Sequence, residues 1–171
     1  MKILITGVAG TGKSTISKAL NSRGIVSIDF SDIPNLCYWH DKRTKEKIKY
    51  SPIKDLKWLD THERICDMKK LRKILAKHKD LVITGIANGN QTEYLGLFDK
   101  VLLLRCNPKT LIHRMKTRET LWGKTKAEQD YTIKWQKEFD FQCLSNSAIP
   151  INTEGTLDAV VKKILAQIQK V

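Results

Sequence analysis

Short apolar runs alternate with helical patterns along this chain. Each run is dominated by β-branched residues or leucine, and longer amphipathic or polar stretches separate the runs. The runs cover residues 2–6, 25–28, 81–84, 101–104 and 149–151. Runs that are apolar on both faces are typical of buried strands in a parallel sheet. The pattern therefore predicts an α/β fold with helices on both faces of the sheet.

Helix-start signals support the intervening helices. Asp67 and Asn107 can each cap a first turn, and Thr125 with Glu128 has the spacing of a capping box. A last helix is predicted from about Leu157, because apolar residues follow it at helical spacing. We expect the apolar faces of these helices to form the core.

The loop after the first run carries the clearest chemical signal. Residues 7–14 read Gly-Val-Ala-Gly-Thr-Gly-Lys-Ser before a helical pattern, which is the context of a P-loop. Its glycines let backbone N–H groups curl around phosphate oxygens at the positive end of the helix. Lys13 can reach the β and γ phosphates, Ser14 can ligate Mg²⁺, and Thr15 is expected near the α phosphate. The predicted phosphate-binding residues are Gly7, Ala9, Gly10, Thr11, Gly12, Lys13, Ser14 and Thr15.

Two acidic residues follow the second run closely. Asp29 comes directly after it, where a carboxylate can hold Mg²⁺ through water or accept a proton from an acceptor hydroxyl. Asp32 could do either, but it precedes Ile33-Pro34 and can also cap a short helix. Asp29 is the favoured metal and catalytic residue, and both Asp29 and Asp32 are candidate contacts to the substrate.

The third run is followed by Gly85 rather than by an acidic residue. Motor-type and switch-type nucleotide hydrolases usually carry a metal-binding Asp at this position, so its absence argues against those classes. The small residues and amides from Gly85 to Asn90 can let a substrate approach closely. Gly85 and Asn88 are therefore predicted to contact the substrate.

Two arginines precede a short glycine-containing loop. Arg114 and Arg118 are four residues apart, so they share one face of the predicted helix. Together with a lid at about residues 118–127 they can close over transferring phosphates, which would make both catalytic. Two solvated surface arginines are the alternative.

The stretch between the second and third predicted strands is longer than a crossover requires. Residues 32–67 are predicted to form an acceptor-binding region over the strand ends, where open α/β sheets bind ligands. Arg64 and Arg43 lie in this stretch, and either can bind an acceptor. Residues 1–171 are predicted to form one domain.

Composition narrows the range of partners. The 171 residues, of which 41% are hydrophobic, suit a single core. A net charge of +13 and a pI near 9.7 favour anionic partners such as nucleotides. Nucleic acid is kept as a partner that is not favoured, because no basic run is interleaved with aromatic residues. No apolar stretch approaches the length of a membrane span, and a monomer is favoured.

The four cysteines are dispersed and form no CxxC pair. Without a signal peptide, they predict reduced thiols in a cytoplasmic protein. Cys37 with His40, and His62 with Cys66, have spacings that could place four ligands around zinc. Half-buried packing residues would show the same spacings, so a zinc site is left open.

A resemblance to a known family is carried by the P-loop, Asp29, the Arg114 and Arg118 pair, the short lid and the closing stretch 151–153. These features resemble the nucleoside monophosphate kinase and shikimate kinase group of P-loop kinases. The resemblance covers nearly the whole chain. Residues 85–88, 97–101 and 123–124 look particularly like bacterial broad-specificity nucleoside monophosphate kinases.

This resemblance implies a five-stranded parallel sheet of order 2-3-1-4-5, with an acceptor-binding insertion after strand two and a lid after strand four. It also implies ATP and Mg²⁺ as cofactors. Lys13 and Arg114 would bind the phosphates of ATP, Ser14 the metal, and Asn152 and Thr153 would border the adenine base.

The function that these features favour is ATP-dependent phosphoryl transfer to a small acceptor. A nucleoside monophosphate is the favoured acceptor. A small-molecule alcohol, as in shikimate or gluconate kinases, is the alternative acceptor. An RNA- or ribosome-associated ATPase is a further alternative from another class, because the chain is strongly basic.

Overall fold

The computed structural model of the chain describes residues 1–48, 56–119 and 122–168. Its strands are β1 (Lys2–Thr6), β2 (Ser27–Asp29), β3 (Cys37–Asp41), β4 (Lys47–Ile48), β5 (His62–Cys66), β6 (Leu81–Thr84), β7 (Lys100–Arg105) and β8 (Ile149–Asn152). Its α-helices are α1 (Lys13–Asn21), α2 (Leu56–Thr61), α3 (Met68–Ala76), α4 (Gln91–Leu95), α5 (Pro108–Thr117), α6 (Lys126–Ser145) and α7 (Leu157–Ile168). None of these helices has the length and hydropathy needed to cross a membrane.

Five strands form one parallel sheet in the order β2-β6-β1-β7-β8. Counted along the chain within this sheet alone, the order is 2-3-1-4-5, so the implied topology is confirmed. The second strand is Ser27–Asp29 rather than 25–28. The reason is that the Ile25 N–H donates to the Leu20 carbonyl at 3.1 Å, so the backbone of Ile25 is bonded to the last turn of α1 rather than to the sheet.

Apolar side chains pack on both faces of this sheet, because alternate residues of a strand point to opposite sides. Leu4 of β1 lies in one buried cluster with Leu71 of α3 and Phe139 of α6. Ile3 of β1 lies in the other cluster with Ile16 of α1. The sheet is therefore covered by helices on both faces, as predicted.

The predicted helix starts are also confirmed. The Asp67 and Asn107 side chains each accept a hydrogen bond from the N–H three residues later, both at 2.9 Å. Thr125 and Glu128 form the two reciprocal bonds of a capping box. The last helix begins at Leu157.

The insertion contains a second sheet that the hydrophobic pattern did not predict. Strands β4, β3 and β5 form an antiparallel sheet in that order. Its residues are mostly half-buried, and polar and aromatic types are mixed, so the strands lack the apolar runs that identified the main sheet. Residues 49–55 of the insertion and 120–121 of the predicted lid lie outside the described residues.

Two asparagines tie this small sheet to the main one. The Asn88 Oδ1 accepts a hydrogen bond from the Arg64 N–H at 3.0 Å. The Asn90 amide accepts from the Cys66 N–H and donates to the Cys66 carbonyl, each at 2.9 Å. Strand β5 is thereby held against the loop that follows β6, at the carboxyl end of the main sheet.

Candidate active site

The glycine-rich loop runs from the end of β1 into α1. Gly12 is the N-cap of α1, with φ 100° and ψ 13°, a left-handed conformation that favours glycine. It has no side chain to cap the helix, and the first turn of α1 holds no acidic residue. The positive end of α1 and its first N–H groups therefore remain available to an anion.

Lys13 folds back over this loop. Its Nζ donates to the Gly7 carbonyl at 2.6 Å and to the Val8 carbonyl at 3.0 Å. Burial lowers the pKa of Lys13 to about 8, Asp29 opposes this change, and Arg118 and Arg64 add to it. Gly7 thus contributes through its carbonyl, and it does not line the neighbouring cleft.

Asp29 lies beside the first turn of α1. Its Oδ2 accepts hydrogen bonds from the Ser14 hydroxyl at 3.3 Å and the Thr84 hydroxyl at 2.8 Å. Its Oδ1 accepts from the Ser31 N–H at 3.0 Å and the Ser31 hydroxyl at 2.6 Å. Burial raises the pKa of Asp29, but the hydrogen bonds from Ser31 and Thr84 and the charge of Lys13 outweigh it, so the pKa lies below its ordinary value. The Asp29 carboxylate is ionised at neutral pH.

A cleft of about 960 Å³ opens beside the loop. Its lining comes from residues 9–16, the insertion, the loop after β6, helices α5 and α6 with the lid between them, and the segment after β8. The lining includes most of the predicted site residues. These are Ala9, Gly10, Thr11, Gly12, Lys13, Ser14, Thr15, Arg64, Asn88, Arg114, Arg118 and Thr153.

Arg114 is fixed against the segment after β8. Its Nη1 donates to the Thr153 hydroxyl at 3.0 Å, and its Nη2 donates to the Thr153 carbonyl at 2.7 Å. Gly155 joins Thr153 in lining the cleft, but Asn152 does not. The Asn152 Oδ1 accepts from the Glu154 N–H at 2.7 Å, and its place beside a bound base stays a prediction.

Arg118 lines the cleft, but it does not share a helix face with Arg114 as predicted. Helix α5 ends at Thr117, and Arg118 is its C-cap with an extended backbone, φ −69° and ψ 157°. Its Nη2 donates to the Trp122 carbonyl at 2.7 Å, whereas its buried Nε has no hydrogen-bond partner among the residues that the structure describes. Burial lowers the pKa of Arg118, and Glu128 partly offsets this. A guanidinium on the cleft is suited to an anionic ligand.

The described part of the lid is hydrogen-bonded to α6. The Trp122 indole N–H donates to the Thr132 hydroxyl at 3.1 Å, and the Gln129 side chain donates to the Gly123 carbonyl at 3.0 Å. These bonds fix the carbonyl of Trp122 that holds Arg118.

Aromatic residues form a part of the cleft that the sequence did not predict. Trp39, Trp122, Tyr131 and Trp135 all line it. Trp135 lies at helical spacing with apolar residues, and it also packs partly against the buried cluster that contains Phe139. The only sequence signal for an aromatic cleft was the presence of four tryptophans among the 171 residues. Three of these tryptophans lie at the cleft.

Three of the predicted substrate contacts, Asp29, Asp32 and Gly85, lie outside the lining of the cleft. A Cβ on Gly85, at φ +156°, would lie 2.4 Å from Cγ of Phe30, so the close approach at this glycine is made by the Phe30 ring. Asp32 is exposed in the short 3-10 helix Phe30–Asp32, and the cap of that helix is Asp29. Neither Gly85 nor Asp32 is among the lining residues.

The zinc hypothesis is wrong. In the register of the small sheet Cys37 pairs with Cys66 and Asp41 with His62, so the two thiols lie at the opposite end from His62. His40 bonds Glu63 at 2.7 Å. Within the described ranges, no group of three or more His, Cys, Asp or Glu residues is placed to hold a metal.

The fold and the phosphate loop define a P-loop nucleotide-binding protein with a parallel sheet. A family model described as an AAA domain matches residues 3–134. The chain belongs to this family.

Relatives and solved structures add detail. A protein of Methanocaldococcus jannaschii named "Putative adenylate kinase" is 33% identical over 119 residues, which cover 69% of this chain and 59% of that relative's own length. A deoxyadenosine kinase from M. mycoides with bound dATP has a TM-score of 0.61 at 20% identity, covering 99% of this chain and 100% of that one. A shikimate kinase from Bacteroides thetaiotaomicron has a TM-score of 0.56 at 14% identity, covering 99% and 98%. The resemblance to the nucleoside monophosphate and shikimate kinase group is therefore confirmed at the level of the fold.

Proposed function

We propose that the protein is an ATP-dependent phosphotransferase that moves the γ-phosphoryl group of ATP to a small acceptor, with a nucleoside monophosphate favoured. The observation that carries the proposal is that one cleft collects the phosphate loop, Arg114 and Arg118, and also Arg64 from the insertion. A nucleotide hydrolase needs one anion-binding surface, whereas transfer between two phosphate compounds needs two.

The donor nucleotide is assigned to the loop and to the segment after β8. The triphosphate binds the N–H groups at the start of α1 and replaces the two carbonyls as partners of Lys13. Arg114 is assigned to the phosphates of ATP, and Thr153, which is hydrogen-bonded to it, borders the adenine side together with Gly155.

The donor atoms beside the loop suit Mg²⁺. The Ser14 hydroxyl and the Asp29 carboxylate, 3.3 Å apart, are hard oxygen ligands, and Mg²⁺ commonly completes its coordination with water and substrate phosphates. Ser14 and Asp29 are therefore assigned to hold the ion. When bound, it neutralises charge on the β and γ phosphates.

The chemistry that these residues perform is positioning and charge neutralisation. An acceptor oxygen attacks the γ phosphorus while the bond to the bridging oxygen of ADP breaks. Lys13 and Arg118 both line the cleft, and they donate to the transferring group. The lid bonds to α6 hold Arg118 in place for this role.

The acceptor is assigned to Arg64, Asn88 and the aromatic residues. Arg64 lies opposite Trp39 on the neighbouring strand, so a cation and an aromatic ring lie side by side on the cleft. A nucleoside monophosphate offers a phosphate to the first and a flat base to the second.

An alcohol acceptor is the second candidate, because Asp29 lies close enough to the phosphate loop to serve as a base. Its lowered pKa makes it a weak base, which supports the phosphate acceptor over the alcohol.

The proposal is tested by measuring ADP release with a panel of nucleoside monophosphates, nucleosides, shikimate, gluconate and RNA, with Lys13→Ala as the inactive control. A nucleoside monophosphate is expected to raise turnover well above the basal rate. If only RNA raises it, the protein is an RNA-dependent ATPase; if nothing does, the kinase proposal fails.

A further inference from the structure

Two of the four cysteines face each other across the small sheet. Cys37 opens β3, Cys66 closes β5, and the register pairs them directly. Both lie where the insertion joins the core. Cys66 is 1% exposed, and Cys37 is partly exposed and packs against the same buried cluster.

The hydrogen-bond pattern fixes which kind of pair this is. The Asp67 N–H donates to the Leu36 carbonyl at 2.8 Å, and the Lys42 N–H donates to the Thr61 carbonyl at 2.9 Å. In an antiparallel ladder such bonded pairs alternate with non-hydrogen-bonded ones, so Cys37 and Cys66 form a non-hydrogen-bonded pair. The Asn90 amide, which takes both backbone groups of Cys66, agrees with this assignment.

That pair type suits a disulfide. Directly opposed Cα atoms in non-hydrogen-bonded pairs are about 4.5 Å apart, inside the range of about 4.4–6.8 Å that disulfides span. Because the two residues are directly paired, their side chains lie on the same face of the small sheet. A bond between them therefore requires little movement of either strand.

The two thiols are also chemically unequal. The contact with Cys66 lowers the pKa of Cys37, burial opposes this, and the charge of Arg64 adds to it. The contact with Cys37 and burial both raise the pKa of Cys66. Cys37 is thus the more exposed thiol and the one that more readily becomes a thiolate, which is the reactive form.

We propose that Cys37 and Cys66 are a modification site that a hydroperoxide converts into an intrachain disulfide. The Cys37 thiolate attacks one peroxide oxygen; the S–O bond forms, the O–O bond breaks, and the other oxygen leaves as water or alcohol after taking a proton. The Cys66 sulfur then displaces the hydroxyl from the Cys37 sulfenic acid. The S–S bond forms and a second molecule leaves as water, so two thiols supply the two electrons that reduce one peroxide.

The site adjoins the cleft. Non-hydrogen-bonded pairs alternate along the ladder and share one face, so Cys37–Cys66 and Trp39–Arg64 lie on the same side of the sheet. Trp39 and Arg64 line the cleft, and the thiol pair is one pair further along.

The test treats the folded full-length chain with hydrogen peroxide, blocks remaining thiols under denaturing conditions, and digests without reduction. Cleavage after Lys and Arg puts Cys37 in peptide 24–42 and Cys66 in peptide 65–69, apart from Cys106 in 106–109 and Cys143 in 138–162. We expect peptides 24–42 and 65–69 to be joined, two hydrogen atoms lighter than their sum, and the free thiols to fall from four to two.

Cys66→Ser is expected to stop at a sulfenic acid on Cys37 that a dimedone probe labels, and Cys37→Ser is expected to leave Cys66 unmodified. Cys143 is as buried as Cys66. The Cys143→Ala protein should therefore form the Cys37–Cys66 bridge as the wild type does. Four remaining thiols, or a bridge between other cysteines, in the treated wild-type protein would overturn the proposal without needing any variant.

Discussion

The Ser14 hydroxyl donates to Oδ2 of Asp29 across 3.3 Å and so joins the first turn of α1 to the carboxyl end of β2. In the main sheet β6 lies between β2 and β1, yet the acid from β2 reaches the residue that follows Lys13. The acidic residue beside the phosphate loop is therefore Asp29 at the end of β2. Strand β6 is followed by Gly85 and supplies no acidic residue there.

Asp29→Asn removes this carboxylate. We expect about a hundredfold loss of turnover and a higher Mg²⁺ requirement, because one charged ligand is lost. If the acceptor is a phosphate, the wild-type pH profile has no step from Asp29 near neutral pH, since its pKa is lowered. Mg²⁺ titrations of ADP release, with Asp32→Asn as the matched exposed control, measure the effect. Equal losses in the two variants would contradict the role given to Asp29.

Lys13 gives ATP binding a pH dependence of known sign. Its pKa in the ligand-free site is about 8, so the neutral form dominates above that pH and binds phosphate poorly. Bound triphosphate raises the pKa, so binding near pH 8 takes up about half a proton. Calorimetry in two buffers of different ionisation enthalpy measures the uptake. Lys18→Met, at an exposed position on the same helix, should keep the uptake that Lys13→Met abolishes.

Arg64→Ala tests the acceptor side of the cleft. Losing a charged hydrogen-bond donor costs about 1.5–3 kcal/mol, so the acceptor KM should rise roughly ten- to hundredfold while the ATP KM stays within about twofold. Arg43→Ala is the matched control, because Arg43 is exposed and does not line the cleft. A rise in the ATP KM alone would place Arg64 on the donor instead.

Gly85→Ala tests the packing role of that glycine. The added Cβ would lie 2.4 Å from the Phe30 ring at a backbone φ of +156°. We expect a loss of about 1–3 kcal/mol in the free energy of unfolding. Gly96→Ala has no heavy atom within 4 Å of the added Cβ and a φ of −68°, and it should be nearly neutral in urea unfolding. If both variants unfold alike, the packing account of Gly85 is wrong.

What the sequence predicted well depends on local signals. The strands of the main sheet can be recognised as apolar runs in the sequence. The phosphate loop and the helix caps can each be recognised from a few neighbouring residues. The topology came from a resemblance rather than from the pattern, because strand order is set by contacts far apart in the chain.

What was missed depends on tertiary contacts. The cross-strand register that joins Trp39 to Arg64 carries no periodic signal in half-buried strands. Trp135 has the spacing of a core residue and packs partly against the core, and only the folded structure shows that it also lines the cleft. Arg118 lies beyond the last residue of α5, and a small shift at a helix end decides how its side chain enters the cleft.

The most direct test of the central claim follows the γ-phosphoryl group itself. ATP labelled at the γ position is incubated with the protein, Mg²⁺ and each nucleoside monophosphate, and the labelled products are separated. The account predicts that label appears in a nucleoside diphosphate and that Lys13→Ala abolishes it. Label found only in inorganic phosphate, with every acceptor present, would contradict phosphoryl transfer and leave hydrolysis.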